Sequence, residues 1–141
     1  AEAVASDVVS IVMRTKDRPV LLERAVRSVA AQTWPAWQLV IVNDAGDRAA
    51  VEAVVAAAVP RDPRVVVVHR AQSVGMEAAT NAGLAAATGR YVAILDDDDS
   101  WEPAFLATCA AHLARPRPER VRGVVTHSTR IVERMSAGGM E

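Results

Sequence analysis

The chain has 141 residues, of which 51% are hydrophobic and 4% aromatic, and its formal net charge is −1. The length fits one domain, and we expect its core to pack alanine-rich helices closely on a Val/Ile sheet. The balanced charge provides no electrostatic footprint for nucleic acid or for an anionic membrane, so we expect neither as a partner. The single cysteine, Cys109, excludes an internal disulfide framework and fits a reducing compartment.

Short β-branched runs alternate with amphipathic segments along the chain. The runs predict four strands, at residues 8–13, 37–42, 65–69 and 91–95. The segments between and after them predict four helices: one beginning at Pro19, then 48–59, 75–88 and 103 to about 113. Gly89 is expected to end the third helix in the left-handed conformation. The alternation predicts a three-layer α/β/α domain with a mainly parallel sheet.

Residues 1–141 are interpreted as a single domain, and its last part carries weaker signals. Residues 115–120 predict a Pro/Arg connector and 121–126 a fifth strand, while 130–135 predict the start of another. Residues 136–141 are expected to be frayed.

Polar residues follow each predicted strand, at the edge where parallel sheets bind ligands. Residues 14–18 follow the first strand, Asn43 and Asp44 the second, Arg70 the third, and the aspartates 96–99 the fourth. At an effective dielectric of 20, two carboxylates about 4 Å apart repel by roughly 4 kcal/mol, so a folded cluster of this kind favours a cation or protons. Beside a phosphate-bearing substrate, such hard oxygen ligands suit Mn²⁺ or Mg²⁺. A solvated acidic loop is the alternative for the run alone, and the polar residues at the other strand ends favour a site.

Several short stretches follow one another between residues 8 and 106. They are Thr15-Lys16-Asp17-Arg18-Pro19, Ala31-Gln32-Thr33, residues 40–44, Gly75 to Asn81 with Gly83, Gly89-Arg90-Tyr91, and 96–99 with Trp101 and Pro103. In this order they resemble the family 2 glycosyltransferases, which are nucleotide-sugar enzymes with the GT-A fold, a Rossmann-like fold of nucleotide-diphospho-sugar transferases.

The resemblance implies roles for the matching positions. Thr15, Asp17 and Gly75 would belong to the nucleotide site, and Asp44 would accept hydrogen bonds from the base, although a turn-forming role for Asp44 is the alternative. Asp98 and Asp96 would form the metal site, with Asp98 as the direct ligand and Asp96 in contact with the ribose or with metal-bound water. Asp97 and Asp99 would support them. The family often has Arg where this chain has Thr80, so Arg18 or Arg70 would supply the cationic contact instead.

The resemblance also implies transfer of a sugar from a nucleoside diphosphate to an unknown acceptor, with inversion and with a carboxylate as base. No catalytic residue is identified, because Glu119, Glu133 and Glu141 lie in no recognisable base motif. The chain is therefore interpreted as the donor-nucleotide half of the fold, either truncated or a minimal member of the family. A non-catalytic nucleotide-binding or assembly module is the alternative function, and a response-regulator-like receiver fits less well.

Two further expectations concern location and assembly. The apolar runs fall well short of the ~20 residues that span a bilayer, and the N-terminus has no secretory pattern, so the cytoplasm is the expected compartment. An incomplete sheet would leave an exposed edge, which favours a homo-oligomer or contact with a missing C-terminal region.

Overall fold

The computed structural model describes residues 7–73 and 75–114, and the backbone of two short strands near the end of the chain. Strands and helices alternate as β1 (Val9–Thr15), α1 (Pro19–Ala30), β2 (Trp37–Asp44), α2 (Arg48–Ala58), β3 (Val65–Arg70), α3 (Met76–Ala86), β4 (Tyr91–Ile94) and α4 (Phe105–Ala114). The predicted order is confirmed, and the boundaries differ by one or two residues. β1 and β2 extend two residues beyond prediction, because their polar ends still pair in the sheet.

Two short strands follow, β5 (Met135–Ser136) and β6 (Gly139–Met140), which pair antiparallel. Ser136, Gly139 and Met140 of this ladder lie within the segment 136–141 that is expected to be frayed, and the fraying stays a prediction. The predicted connector at 115–120 and the fifth strand at 121–126 lie outside the described residues. Only Met135 of the strand predicted at 130–135 is described, and it belongs to β5.

The first four strands form one parallel sheet in the order β3-β2-β1-β4. The chain moves outward from β1 to β3, and then β4 returns to the other side of β1. Strand order thus reverses between β1 and β4, which is where open α/β sheets form ligand crevices at the carboxyl ends of their strands.

Each face of the sheet carries its own apolar layer. On one face, side chains of α1, α2 and α4 join one buried cluster with alternate residues of β1 and β2, including Ile11, Met13, Leu22, Ile41 and Leu106. On the other face, Ala79 of α3 joins Val12, Val40 and Val42. Because period-two alternation sends successive strand residues to opposite faces, continuous apolar strands bury both faces of the sheet. The predicted three-layer arrangement is confirmed.

Two glycines are explained by close approach of the backbone. A Cβ atom at Gly83 would lie 2.5 Å from Val12 Cγ1, so glycine lets α3 pack directly on the sheet. A Cβ atom at Gly89 would lie 2.4 Å from the Val8 carbonyl oxygen. The left-handed cap predicted at Gly89 is wrong, because α3 already ends at Ala86 with an extended residue after it, and Gly89 has no positive φ.

A buried glutamine joins α1 to the segment that follows the four aspartates. Gln32 Nε2 donates to the carbonyl oxygens of Ser28 and Glu102, at 3.1 and 2.7 Å, and its Oε1 accepts from the Leu106 amide at 3.0 Å. Since the Leu106 amide lies in the first turn of α4, Gln32 satisfies a donor that the helix leaves unpaired.

In the described part of the chain, no helix is both long and apolar enough to cross a bilayer.

Candidate functional site

A cleft of about 420 Å³ lies at the carboxyl ends of the strands, beside the point where strand order reverses. Cations and carboxylates both line it. Its lining consists of Arg14, Thr15, Lys16, Arg18, Asp44, Ser73, Gly75, Met76, Asp96 and Asp98. The lining contains three cationic and three acidic side chains, so the cleft suits a ligand that consists of an anion together with a metal cation.

The four aspartates form a turn after β4. The Asp99 amide donates to the Asp96 carbonyl oxygen at 3.1 Å, which closes the turn. As a result, one carboxylate oxygen from each of Asp96, Asp98 and Asp99 lies within 4.8 Å of the others. Three oxygen ligands at this spacing fit a hard divalent cation, although exposed acidic groups also occur together without one.

Asp97 has a different environment from its neighbours, because its side chain is completely buried. Its Oδ2 accepts a hydrogen bond from Thr15 Oγ1 at 2.9 Å, and Arg18 binds both carboxylate oxygens through Nε and Nη2, at 3.2 and 2.5 Å. Burial raises the pKa of Asp97, and the Thr15 hydrogen bond and the Arg18 charge offset part of this increase. Asp97 therefore organises the first loop and contributes no oxygen to the acidic group.

The remaining acidic group is balanced by nearby arginines. Arg14 Nη2 donates to Asp96 Oδ1 at 2.6 Å, and Arg24 Nη2 donates to the Asp98 carbonyl oxygen at 2.9 Å. Burial raises the pKa of Asp99, as do the charges of Asp98 and Asp96, while Arg24 lowers it. Mutual repulsion of this kind is what a bound cation would relieve.

Asp44, at the end of β2, directs a carboxylate into the cleft. Ser73 Oγ donates to Asp44 Oδ2 at 2.8 Å, whereas Asp44 Oδ1 is buried and has no hydrogen-bond partner among the described residues. The adjacent turn is made by Asn43, whose Oδ1 accepts from the Gly46 amide at 3.0 Å and whose Nδ2 donates to the Gly46 carbonyl at 3.1 Å. The side-chain hydrogen bonds of this turn are therefore made by Asn43, and one Asp44 oxygen keeps an unused capacity to accept a hydrogen bond.

A histidine supports this turn from β3. Asn43 Nδ2 lies 3.0 Å from His69 Nδ1, and His69 Nε2 lies 2.8 Å from Glu52 Oε1. Because the Asn43 amide nitrogen can only donate, Nδ1 is the acceptor and the proton of the neutral ring is on Nε2.

Most of the predicted site residues lie together in the cleft: Thr15, Arg18, Asp44, Gly75, Asp96 and Asp98. Asp17 does not line it, because its Oδ1 accepts from the Asp47 amide at 2.9 Å and so joins the loops after β1 and β2. Arg70 also lies outside the lining, with Nη1 donating to the Ala78 carbonyl. Of the two arginines considered for the cationic contact, Arg18 is the one in the cleft.

Four residues of the cleft lining were not predicted as site residues: Arg14, Lys16, Ser73 and Met76. Asp99 was predicted only to support the pair and belongs to the acidic group itself. Arg14 and Lys16 lie in the polar segment that follows the first predicted strand, so their place at the carboxyl end of a strand was the available signal. Ser73 and Met76 carry no such signal. Trp101, which belongs to the last of the resembling stretches, stacks on Phe105 with ring centroids 4.4 Å apart and packs against the core.

The fold and the cleft together define a class of protein, namely α/β domains that bind ligands at a reversal of strand order. The family model described as "Glycosyl transferase family 2" matches residues 10–134. The chain belongs to this family, and the resemblance seen in the sequence is confirmed. Family membership also removes the response-regulator alternative.

Curated relatives agree with this assignment. WcaA of Escherichia coli strain K12, named as a candidate glycosyl transferase of colanic acid biosynthesis, is 34% identical over 105 residues, which cover 74% of this chain and 37% of WcaA. The succinoglycan biosynthesis protein ExoO of Rhizobium meliloti is 34% identical over 118 residues, covering 84% of this chain and 27% of ExoO. The chain thus spans about a third of the length of these relatives.

Solved structures show the same fold. The mannosyltransferase PcManGT of Pyrobaculum calidifontis, in complex with GDP-Man and Mn²⁺, superposes with a TM-score of 0.66 at 27% identity, covering 77% of this chain and 32% of that one. Staphylococcus aureus TarS 1–349 in complex with UDP-GlcNAc has a TM-score of 0.66 at 21% identity, over 74% of this chain and 30% of that one. The GT-A fold predicted from the sequence is confirmed.

Proposed function

We propose that this chain is the donor-binding domain of a glycosyltransferase and holds a nucleoside diphosphate sugar through a divalent cation, Mn²⁺ or Mg²⁺. The observation that carries the proposal is the convergence of Asp96, Asp98 and Asp99 within 4.8 Å, at the edge of a cleft that also contains three cationic side chains. The Mn²⁺ and GDP-Man bound to PcManGT support it.

The acidic group fits the cation by its donor chemistry. Carboxylate oxygens are the ligands that Mn²⁺ and Mg²⁺ take from proteins, usually one or two at a time, with phosphate and water in the other positions. Asp98 is the proposed direct ligand of the D-x-D pair, and Asp96 is the second member. When bound, the cation would neutralise charge that develops on the leaving diphosphate.

The nucleotide would occupy the part of the cleft nearer β2 and α3. The unpartnered Asp44 Oδ1 suits a ring N–H donor of the base. Gly75, at φ 110°, precedes α3, and a Cβ atom at this position would meet no other atom within 4 Å, so the backbone there is open to a ligand. Thr15 and Arg18 complete this side of the site, and Asp17 contributes indirectly by joining the two loops.

Transfer would proceed to an acceptor hydroxyl with inversion at the anomeric carbon, with a carboxylate removing the hydroxyl proton. We assign no residue of the described ranges 7–73 and 75–114 to this base. For that reason a non-catalytic nucleotide-binding module remains the second candidate function. Formation of a glycosylated product by the 141-residue chain, from a panel of nucleotide sugars and acceptors, would exclude the second candidate.

The first prediction tests the metal site through Asp98→Asn. In the unmodified chain, Mn²⁺ is expected to tighten the binding of UDP or GDP, measured by isothermal titration calorimetry. Asp98→Asn removes a charged ligand, so the effect of Mn²⁺ on the nucleotide Kd should be lost, a change of roughly tenfold or more for a ligand worth at least 1.4 kcal/mol.

Glu23→Gln is the matched control, because it removes one negative charge from the exposed face of α1, where Glu23 pairs with Arg27. It should leave the Mn²⁺ effect unchanged. Nucleotide binding that does not depend on the metal, with the same Kd in Asp98→Asn, would contradict the proposed site.

A further inference from the structure

Arg14 occupies a position in the sheet that brings its charge to the acidic group. β1 pairs with β4 in parallel, with Val12 opposite Ile94, and the Leu95 amide donates to the Val12 carbonyl at 3.1 Å. Arg14 lies two residues after Val12, and Asp96 lies two residues after Ile94. Their side chains meet and form an ion pair of 2.6 Å. The register of the sheet therefore provides Asp96 with a cation from within the protein.

Arg14 and Arg18 are held in different ways. Arg18 binds both oxygens of Asp97, a carboxylate that is completely buried. Arg14 is held at Asp96 through one nitrogen, and the Asp96 side chain is 39% exposed. Within the described part of the chain, Arg14 Nε is buried without a hydrogen-bond partner, and the side chain as a whole is 17% exposed. Arg18 is thus fixed by a two-point contact, whereas Arg14 keeps an unused donor beside the cleft.

We propose that Arg14 is a counter-ion that a divalent cation displaces from Asp96, and that the displaced guanidinium then binds the diphosphate of the donor. The proposal rests on the proposed function, because it assumes that metal and diphosphate share this cleft. Arg14 and the metal compete for one carboxylate, so metal alone binds weakly. Once the diphosphate is present, it provides Arg14 with a new anionic partner, for which the planar guanidinium is well suited.

The consequence is coupling between the two ligands. The cost of separating Arg14 from Asp96 opposes metal binding when no nucleotide is present. That cost is recovered when the diphosphate accepts hydrogen bonds from Arg14, so each ligand increases the affinity for the other by the same factor. A role for Arg14 in stability alone predicts no such coupling.

The experiment compares Arg14→Gln with the unmodified 141-residue chain. Binding of Mn²⁺ alone is followed by the electron paramagnetic resonance signal of the free ion, and binding of UDP and of GDP by calorimetry at saturating Mn²⁺. Arg14→Gln should bind Mn²⁺ alone roughly three- to tenfold more tightly, because the competing charge is gone, and should bind the nucleotide roughly tenfold more weakly.

Two further variants separate this effect from general ones. Arg14→Lys keeps the charge and should retain the weak binding of Mn²⁺ alone, while losing part of the nucleotide affinity because an ammonium cannot bind two oxygens side by side. Arg27→Gln removes a positive charge from the exposed face of α1, where Arg27 pairs with Glu23, and should change neither affinity. Circular dichroism of each variant checks that it is folded.

The outcomes distinguish this inference from the proposed function. Opposite changes in the two affinities of Arg14→Gln support the inference. If the unmodified chain binds Mn²⁺ and nucleotide but Arg14→Gln weakens both or changes neither, the inference is wrong and the proposed function stands. If Arg14→Gln is unfolded, tight binding of Mn²⁺ alone to Arg14→Lys contradicts it. If the unmodified chain binds neither ligand, the proposed function fails, and the inference fails with it.

Discussion

At the scale of single residues, four identical side chains have separate environments. Asp97 is completely buried against Thr15 and Arg18, whereas the oxygens of Asp96, Asp98 and Asp99 face one another. The sequence predicted that Asp96 and Asp98 act as a pair, because the family motif places them. It could not predict that Asp97 faces inward or that Asp99 joins the group, since both follow from the turn after β4.

The burial of Asp97 leads to a prediction about pH. Its pKa in the folded chain is raised above the ordinary 3.8, so between these two values the folded chain holds a proton that the unfolded chain has lost. Folding stability due to Asp97 is then highest at low pH and decreases as the pH rises through the folded pKa. In Asp97→Asn this contribution is absent.

The measurement is urea unfolding of both proteins from pH 4 to pH 7. The free energy of unfolding of the unmodified chain, minus that of Asp97→Asn, should decrease as the pH rises. Asp99 also has a raised pKa, and because it is present in both proteins its contribution cancels. An increase in the difference with pH would mean that the ion pair with Arg18 outweighs the burial of the charge.

At the scale of elements, the strands and helices were predictable and their contacts were not. Continuous β-branched runs located the four strands and amphipathic segments located the four helices from β1 to α4, because these apolar residues are the ones that become buried. The role of Gly89 was missed, because its close approach to Val8 depends on how β4 meets β1. The turn-forming role of Asn43 was missed for a similar reason, because its partner His69 lies on another strand, β3.

Gly83 provides the prediction at this scale. In Gly83→Ala the new methyl group would lie 2.5 Å from Val12 Cγ1 and 3.0 Å from Val42 Cγ2. Alanine favours a helix by about 1 kcal/mol over glycine, but overpacking a core costs roughly 1–3 kcal/mol, so we expect a net loss of stability in urea unfolding.

Val12→Ala is the partner substitution, because it removes the methyl groups that the new side chain meets. The double variant should lose less stability than the sum of the two single variants, and a double-mutant cycle measures the difference. Strict additivity would show that the contact between α3 and β1 at this point does not limit packing.

At the scale of the whole molecule, the described sheet is covered unevenly. α3 packs on β1 and β2, while Val92 and Ile94 on the same side of β4 are 49% and 52% exposed. The reversal of strand order brings the site together at β1 and β4, and it also leaves β4 paired only with β1 among the described strands. The sequence predicted an exposed edge in general terms, and the strand that forms it could be identified only from the topology.

This surface predicts self-association of the 141-residue chain. Exposed apolar side chains on an edge strand favour pairing between copies, so Val92→Ser with Ile94→Ser should reduce the concentration dependence of the sedimentation coefficient. The loss of stability should stay near 1 kcal/mol or below, since both side chains are half exposed.

Val20→Ser is the control, because Val20 is 58% exposed on α1, away from the edge strand. It should leave the sedimentation behaviour unchanged. A chain that is monomeric at every concentration tested would contradict the expected association through β4.

The turn that ends β4 has a consequence for how this site tolerates change in chain length. The four aspartates are chemically identical, yet only the second, Asp97, is buried. Its burial is set by its distance along the chain from Ile94, the last residue of β4 that pairs with β1. Deleting Leu95 would leave the string of aspartates intact while moving each one by a place, so that a different carboxylate would meet Arg18. The four-aspartate motif would then be unchanged in sequence although the site had lost its arrangement, because the role of each aspartate depends on its distance from the end of β4.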